Sequence, residues 1–190
     1  MINTLQINRG EGNFSDIANL AGVSRTDWSW SGLLVDLDND TWKDIIITNG
    51  IKKDVLNNDY RKYIKNLSDN ITEEEFFNVA KKAPTLPLSN YVYKNTGDLK
   101  FKNVSEKWNF NLPSFSSGMA YGDLDNDGDL DIVTNNMENA AFVYRNKANG
   151  NFLKVNFKGS EKNRFAYGAK ASIFHNGKKQ VSQNTVTRGY

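Results

Sequence analysis

"GDLDNDGDLDIVTNN", residues 122–136, places five aspartates at alternate positions from Asp123 to Asp131 and then runs straight into apolar sequence. Counted from Asp123, the side chains of Asp123, Asp125, Asp127 and Asp131 fall at positions 1, 3, 5 and 9 of a loop. Gly128, at position 6, allows the positive φ that lets a chain curl around a central ion. Hard oxygen donors in this order suit calcium. Asp129 stands at position 7, where such loops supply a main-chain carbonyl, so its backbone oxygen is the expected donor. Without a cation the converging carboxylates repel one another, which links ion binding to local folding.

A single loop of this kind is also what a solvated acidic turn looks like, since Asp, Asn and Gly are common turn residues. A second copy, "VDLDNDTWKDIIITNG", tips the reading to calcium: Asp36, Asp38, Asp40 and Asp44 repeat positions 1, 3, 5 and 9 and again lead into an apolar β-branched run. Here Thr41 replaces the glycine of position 6, and a β-branched residue tolerates positive φ poorly. Two Ca2+ sites are therefore expected, the Asp36 loop being the weaker. An EF-hand does not fit. It needs a bidentate glutamate at position 12, where these loops carry Ile47 and Thr134, and a helix on each side, whereas "DIIIT" and "DIVT" read as strands.

The 190 residues, 38% apolar and 24% charged with a net charge of +2, are long enough to bury a core and indicate neither disorder nor a polyanionic partner. No stretch approaches the roughly 18 consecutive apolar residues of a membrane span, and "MINTLQINRGEGNF" lacks the regions of a signal peptide. With no cysteine there are no disulfides, thiolate metal sites or cysteine nucleophiles, though this does not decide the compartment.

The chain repeats itself. "NRGEGNF", "NTGDLKF" and "NKANGNF" each place an Asn (Asn8, Asn95, Asn146) six residues before a Phe (Phe14, Phe101, Phe152), and each reads as a hairpin turn. In the first two copies the leading aspartate of an acidic loop follows the Asn by 28 residues (8 to 36, 95 to 123), with "FSDIANLAG" aligned to "FKNVSEKWN". From that aspartate to the next Asn the spacing is 59 residues in one copy and 23 in the other, so 36 residues are inserted in the first and the 87-residue period reduces to a unit of 51. That suits one four-stranded propeller blade of about 40–50 residues.

The stretch that holds the insertion, 50–88, changes character. Val55, Leu56, Tyr60, Tyr63, Ile64 and Leu67 recur at helical spacing, Thr72 and Glu75 form a capping-box pair, and Lys81, Lys82 and Pro84 close a second helix. A helical hairpin on one rim is expected, serving as packing or as a contact surface, with Tyr60, Tyr63, Phe76 and Phe77 mostly facing its core. After Phe152, "NFLKVNFKG" alternates like a strand, and "GAKASIFHNGKKQVSQNTV" reads as two strands joined by a tight Asn176-Gly177 turn.

With these residues in view, "SGMAYGDLDNDGDLDIVTNN", "NYVYKNTGDLKFKNV" and the first acidic loop resemble the FG-GAP or VCBS repeats of integrin-type β-propellers, over roughly residues 5–50 and 89–150. "NFLKVNFKGSEKNRFAYGAKASIFHNGKKQVSQNTVTRGY" is similar to the start of an ASPIC/UnbV domain, "NRFAYGAKASI" being its most specific part. The resemblance implies a mainly β fold: a partial β-propeller of about two blades with a helical insertion and a C-terminal β-hairpin element. Its divisions are 1–49 (the end of one blade, the start of the next and the first calcium loop), 50–88 (the insertion), 89–150 (a blade with the second loop) and 151–190 (the start of the UnbV domain). It implies calcium on Asp36, Asp38, Asp40 and Asp44 with the carbonyl of Trp42, and on Asp123, Asp125, Asp127 and Asp131 with that of Asp129. Two blades cannot close a ring that in this family usually has seven. The chain thus reads as the C-terminal piece of a longer protein whose remaining blades are its partners, with exposed sheet edges of its own.

For function, the resemblance implies a non-enzymatic binding or adhesion module, extracellular or on a bacterial cell surface, with calcium in a structural role and a protein or carbohydrate ligand. The alternative is a propeller part of a polysaccharide lyase or hydrolase. The sequence offers that chemistry little: His175, its one histidine, sits beside the "HNGKK" turn, no Ser-His-Asp set, phosphate loop or HExxH is present, and aspartates on calcium are held ionised. Trp28, Trp30 and Trp42 cluster around the first loop, where they suit a sugar-stacking surface or, as the commoner role, the core. "RNKANGNFLK" is too sparsely basic for nucleic acid.

Overall fold

The computed structural model describes residues 2–67, 72–175, 177–187 and 189. Among the described residues, thirteen strands in chain order form small antiparallel sheets: β1 (Gln6–Gly10), β2 (Asn13–Asp16), β3 (Ser29–Val35), β4 (Asp44–Asn49), β5 (Leu88–Ser89), β6 (Tyr91–Asn95), β7 (Phe101–Asn103), β8 (Pro113–Ser114), β9 (Ser116–Gly122), β10 (Asp131–Asn136), β11 (Phe142–Tyr144), β12 (Lys170–His175) and β13 (Lys178–Gln183). Among the described residues, α-helices α1 (Ala18–Ala21), α2 (Asn58–Lys65) and α3 (Glu73–Lys81) and a 3-10 turn at Glu161–Asn163 accompany them. The principal sheet has the order β3-β4-β6-β7 and the next has β9-β10-β11, while β1-β2, β5-β8 and β12-β13 pair alone. The chain is thus mainly β, and its open sheets are those of a partial propeller.

The apolar run "DIIITN" of β4 is buried at every residue, as a strand covered on both faces must be. Its alternation divides two cores. Ile45 and Ile47 face Ala18, Ala21, Val23 and Tyr93, beneath α1. Ile46 faces Val35, Val92, Phe110, Met119 and Ile132, between the β3-β4-β6-β7 and β9-β10-β11 sheets. The sheets stack as neighbouring blades through side chains that the period-two pattern sends to opposite faces.

The 87-residue period is visible in the backbone itself. Ala21 N–H donates to the Ile17 carbonyl and Trp108 N–H to that of Val104 (2.8 and 2.9 Å); Val23 N–H reaches Ala18 and Phe110 N–H reaches Ser105 (3.0 and 2.7 Å). Each turn ends on a left-handed residue, Gly22 (φ 78°) or Asn109 (φ 54°). The β1-β2 hairpin is therefore the counterpart of β6-β7, the outer pair of a preceding blade. Sequence repeat and sheet are out of phase: residues 89–150 supply β6 and β7 to one sheet and β9, β10 and β11 to the next.

The insertion leaves the principal sheet between β4 and β6. Asn57 caps α2 by accepting from Asp59 N and Tyr60 N, and the Thr72–Glu75 capping box opens α3. Tyr60, Val79 and Ala83 form a small core with Tyr63 and Leu67 against them. Lys53 Nζ donates to the carbonyls of Lys81 and Ala83 (2.8 and 2.9 Å), satisfying acceptors that the end of α3 leaves open.

Four expectations need correction. Phe76 and Phe77 are not core residues: both are more than half exposed and stack edge-on with each other, because the hairpin core is only one residue layer deep. Trp30 and Trp42 are about half exposed and Trp28 is partly exposed; Trp30 is held at the surface by donating Nε1–H to the Gly50 carbonyl (2.5 Å). Residues 151–157 adopt no strand, and "NKANGNF" makes no hairpin, because Phe152 and Lys154 are engaged elsewhere, as described below. β12 and β13 pair as expected, but the Asn176 half of their turn lies outside the described residues.

Candidate metal site

Each acidic loop bridges the first two strands of a sheet, and the register of those strands closes its base: Val35 pairs with Asp44, and Gly122 with Asp131. Loop positions 1, 3 and 5 converge. Asp36, Asp38 and Asp40 each offer a carboxylate oxygen within 4.8 Å of the others, as do Asp123, Asp125 and Asp127. At that spacing each pair of ionised carboxylates repels by about 1–3 kcal/mol for effective dielectric constants of about 80 to 20. A fold does not gather three such groups twice without something positive among them.

The fourth aspartate has a different setting. Asp44 and Asp131 begin β4 and β10 and are buried. Asp44 accepts from Leu37 N (3.1 Å) and Asn95 N (2.9 Å), and Asp131 from Leu124 N (3.0 Å) and Asn146 N (2.8 Å). Position 9 therefore ties its loop to the strand that follows, and the Asn that marks the sequence repeat is the residue it grips. The Asn side chains complete the tie, Asn95 Nδ2 donating to the Lys43 carbonyl (3.1 Å) and Asn146 Nδ2 to that of Leu130 (3.3 Å). At position 7 the Asp129 carboxylate turns away from the triad and accepts from Asn39 Nδ2 of the other loop (2.8 Å), and Trp42 N donates to Asp40 Oδ1 (2.9 Å).

Sequence reasoning missed the cations. Lys94 Nζ pairs with Asp38 and with Asp40 (2.9 Å to the latter); Arg145 Nε pairs with Asp125 at 2.6 Å, and its Nη2 reaches Asp127 at 3.5 Å. Their signal was present: "YKN" and "YRN" put a basic residue directly before the repeat Asn in both copies. Lys154 adds a further ammonium, 3.3 Å from Asp123 and 2.9 Å from Asn126 Oδ1.

Protonation follows these contacts. The Asp38 and Asp40 carboxylates hold the Lys94 ammonium well above its usual range. Burial raises Asp36, an effect that N–H donors from Thr41 and Asp40 only partly oppose. Burial also pushes at Asp40, but Lys94 and the Trp42 N–H more than offset it and leave that group lowered. Asp127 is lowered, chiefly by the N–H of Asp129. Burial raises Asp44 to about 6 against the N–H donors of Asn95 and Leu37.

The donor set fits a hard divalent cation. Every converging side-chain atom is a carboxylate oxygen, and one oxygen in each loop, Asp38 Oδ1 and Asp123 Oδ1, is shielded from solvent without accepting a hydrogen bond. Thr41 does take the left-handed conformation (φ 82°) that Gly128 takes at the same loop position (φ 95°). Strain of about 1–3 kcal/mol is thereby held in the first loop. Thr41→Gly should raise the melting temperature by several degrees, at about 2–4 °C per kcal/mol for a chain of this size, and tighten calcium at the first loop alone. Differential scanning calorimetry and calcium titration of the variant read both effects.

His175 ends β12 and is exposed, apart from either triad. Among the described residues no helix is long and apolar enough to cross a membrane.

Comparison with known families agrees with the geometry. Residues 85–134 match the FG-GAP-like repeat, which takes in the whole second loop, and residues 159–190 match ASPIC and UnbV. No curated protein matches the chain. Two separate parts of the chain are thus similar to known families, the second acidic loop lying in the one and the β12-β13 hairpin in the other.

Proposed function

We propose that the chain is a calcium-binding, non-enzymatic part of a β-propeller that serves binding or adhesion outside the cell or on its surface. One observation carries the reading: two loops, 87 residues apart, each gather three carboxylates and leave one shielded oxygen without a partner. Asp36, Asp38 and Asp40 would hold one calcium ion, and Asp123, Asp125 and Asp127 the other. Asp44 and Asp131 close each site and fasten it to β6 and to the chain after β11. Bound calcium would supply charge neutralisation that locks strand to strand, with no bond made or broken. The role is structural, and the partner it serves is a protein or a carbohydrate held by the assembled blades.

Calcium should raise the melting temperature of the chelator-stripped chain. A site at a hundred times its dissociation constant adds about 2.7 kcal/mol, roughly 5–10 °C here. Thermal unfolding with and without calcium measures this, and an unchanged midpoint would refute a structural ion.

The first loop should also respond to acid. Protonating Asp44 removes a negative charge beside the triad, so calcium affinity falls as pH drops through about 6. Between pH 7.5 and pH 5 the loss at that loop is roughly tenfold. The sign is opposite for the calcium-free fold: a raised carboxyl binds its proton more tightly when folded, so this group favours folding as pH falls through the same range. Calcium titrations at the two pH values, with melting curves of the stripped chain, separate the effects.

A further inference from the structure

The geometry points to a calcium-operated strand exchange: Phe152 and Lys154 hold the second loop in place of the ion, and residues 152–154 become the fourth strand of the β9-β10-β11 sheet when calcium enters. This rests on the calcium reading of that loop. The principal sheet has four strands, but the sheet that repeats it has three, and among the described residues nothing pairs with the outer edge of β11. The missing strand has a counterpart in the sequence. "NTGDLKFKN" (95–103) and "NKANGNFLK" (146–154) have equal length and share Asn and Phe at the same places. In the first copy, Tyr93 pairs with Asn103, Lys94 with Lys102 and Asn95 with Phe101. Carried over by 51 residues, that register sets Tyr144 opposite Lys154, Arg145 opposite Leu153 and Asn146 opposite Phe152.

What keeps the segment from this place is its hold on the acidic loop. Lys154 reaches Asp123 and Asn126, a contact with no counterpart in the first copy, where Lys94 grips its triad as Arg145 does and the fourth strand still forms. The Phe152 ring lies so close over Gly128 that a Cβ there would overlap it, and Gly150 sits as tightly against Asn39. Phe152 is left more than half exposed, whereas its counterpart Phe101 packs against the Ile45–Ile47 core. The segment commits Lys154 to the triad and leaves Phe152 about half exposed. With a divalent ion held by Asp123, Asp125 and Asp127, those carboxylates would be neutralised at shorter range and Lys154 would be released to the strand position. The ASPIC/UnbV match begins at residue 159, five residues after Lys154, so this exchange would set where that segment is carried.

Hydrogen exchange on the 190-residue chain, stripped and calcium-loaded, tests this alongside calorimetry. Amides of 151–156 are expected to exchange at least about tenfold more slowly with calcium, as a fourth strand must. Lys154→Met is expected to bind calcium several-fold more tightly at the second loop, because a competing ammonium is gone. Calcium heat with unchanged or faster exchange at 151–156, or weaker binding by Lys154→Met, would overturn the strand exchange and leave the calcium reading intact. No calcium heat attributable to the second loop would overturn both.

Discussion

Asp125→Ala should remove one of two calcium equivalents and leave the other. Asp125 is exposed, and its contacts are the triad, Arg145 and the N–H of Asp127, so the substitution takes out a ligand without opening the core. Loss of a carboxylate ligand should weaken the second loop by more than about a hundredfold, close to 3 kcal/mol. The first loop is not isolated from this change. Asn39 donates to Asp129, and Asn146 Nδ2 donates to the Leu37 carbonyl at 2.6 Å, so each loop supports the other. That support is indirect, and the first site should shift by no more than about fivefold. A calcium titration in which both equivalents vanish, or neither does, contradicts separate loops.

The second large effect concerns stability and lies away from the ion. Asn90 is fully buried, accepts from Asn49 N (2.8 Å) and donates Nδ2 to Ser116 Oγ (2.9 Å), which donates in turn to Asn136 Oδ1 (2.7 Å). This chain of polar groups joins β4 of one sheet to β9 and β10 of the next, where apolar packing leaves off. Gly50 belongs to the same junction: its φ of 140°, and the backbone of Ser114 and Phe115 against it, leave no room for a Cβ. Asn90→Ala leaves the Asn49 N–H without this partner in a dry place, at about 1–3 kcal/mol, takes one of three hydrogen bonds from the Ser116 hydroxyl and adds a small cavity. A loss of about 3 kcal/mol, or roughly 6–12 °C in melting temperature, is expected by chemical or thermal denaturation. A change below about 0.5 kcal/mol would show that water replaces the network.

Much of this architecture is legible in the sequence because it rests on local rules. The β-branched run in "DIIITN" announces a strand, the Thr72–Glu75 pair announces α3, and the aspartate spacing announces the loops. What stayed hidden depends on neighbours distant in the chain. Nothing local says that Lys94 and Arg145 point into the triads, since a lysine beside an asparagine is ordinary until both copies are seen folded. Nor does position 9 reveal that Asp44 and Asp131 are bound by backbone N–H groups of Asn95 and Asn146, 51 and 15 residues away. The strand expected at 151–157 failed for a related reason: its alternation is real, but Lys154 and Phe152 find the acidic loop before they find β11. Phe76 and Phe77 misled because helical periodicity shows a face, not whether anything covers it.

Calorimetric titration of the chelator-stripped chain tests most directly the reading of the two carboxylate triads as calcium sites. Two equivalents of unequal affinity are predicted, the tighter removed by Asp125→Ala and the weaker improved by Thr41→Gly. Absence of binding at millimolar calcium, with Lys94, Arg145 and Lys154 keeping the carboxylates to themselves, would contradict it.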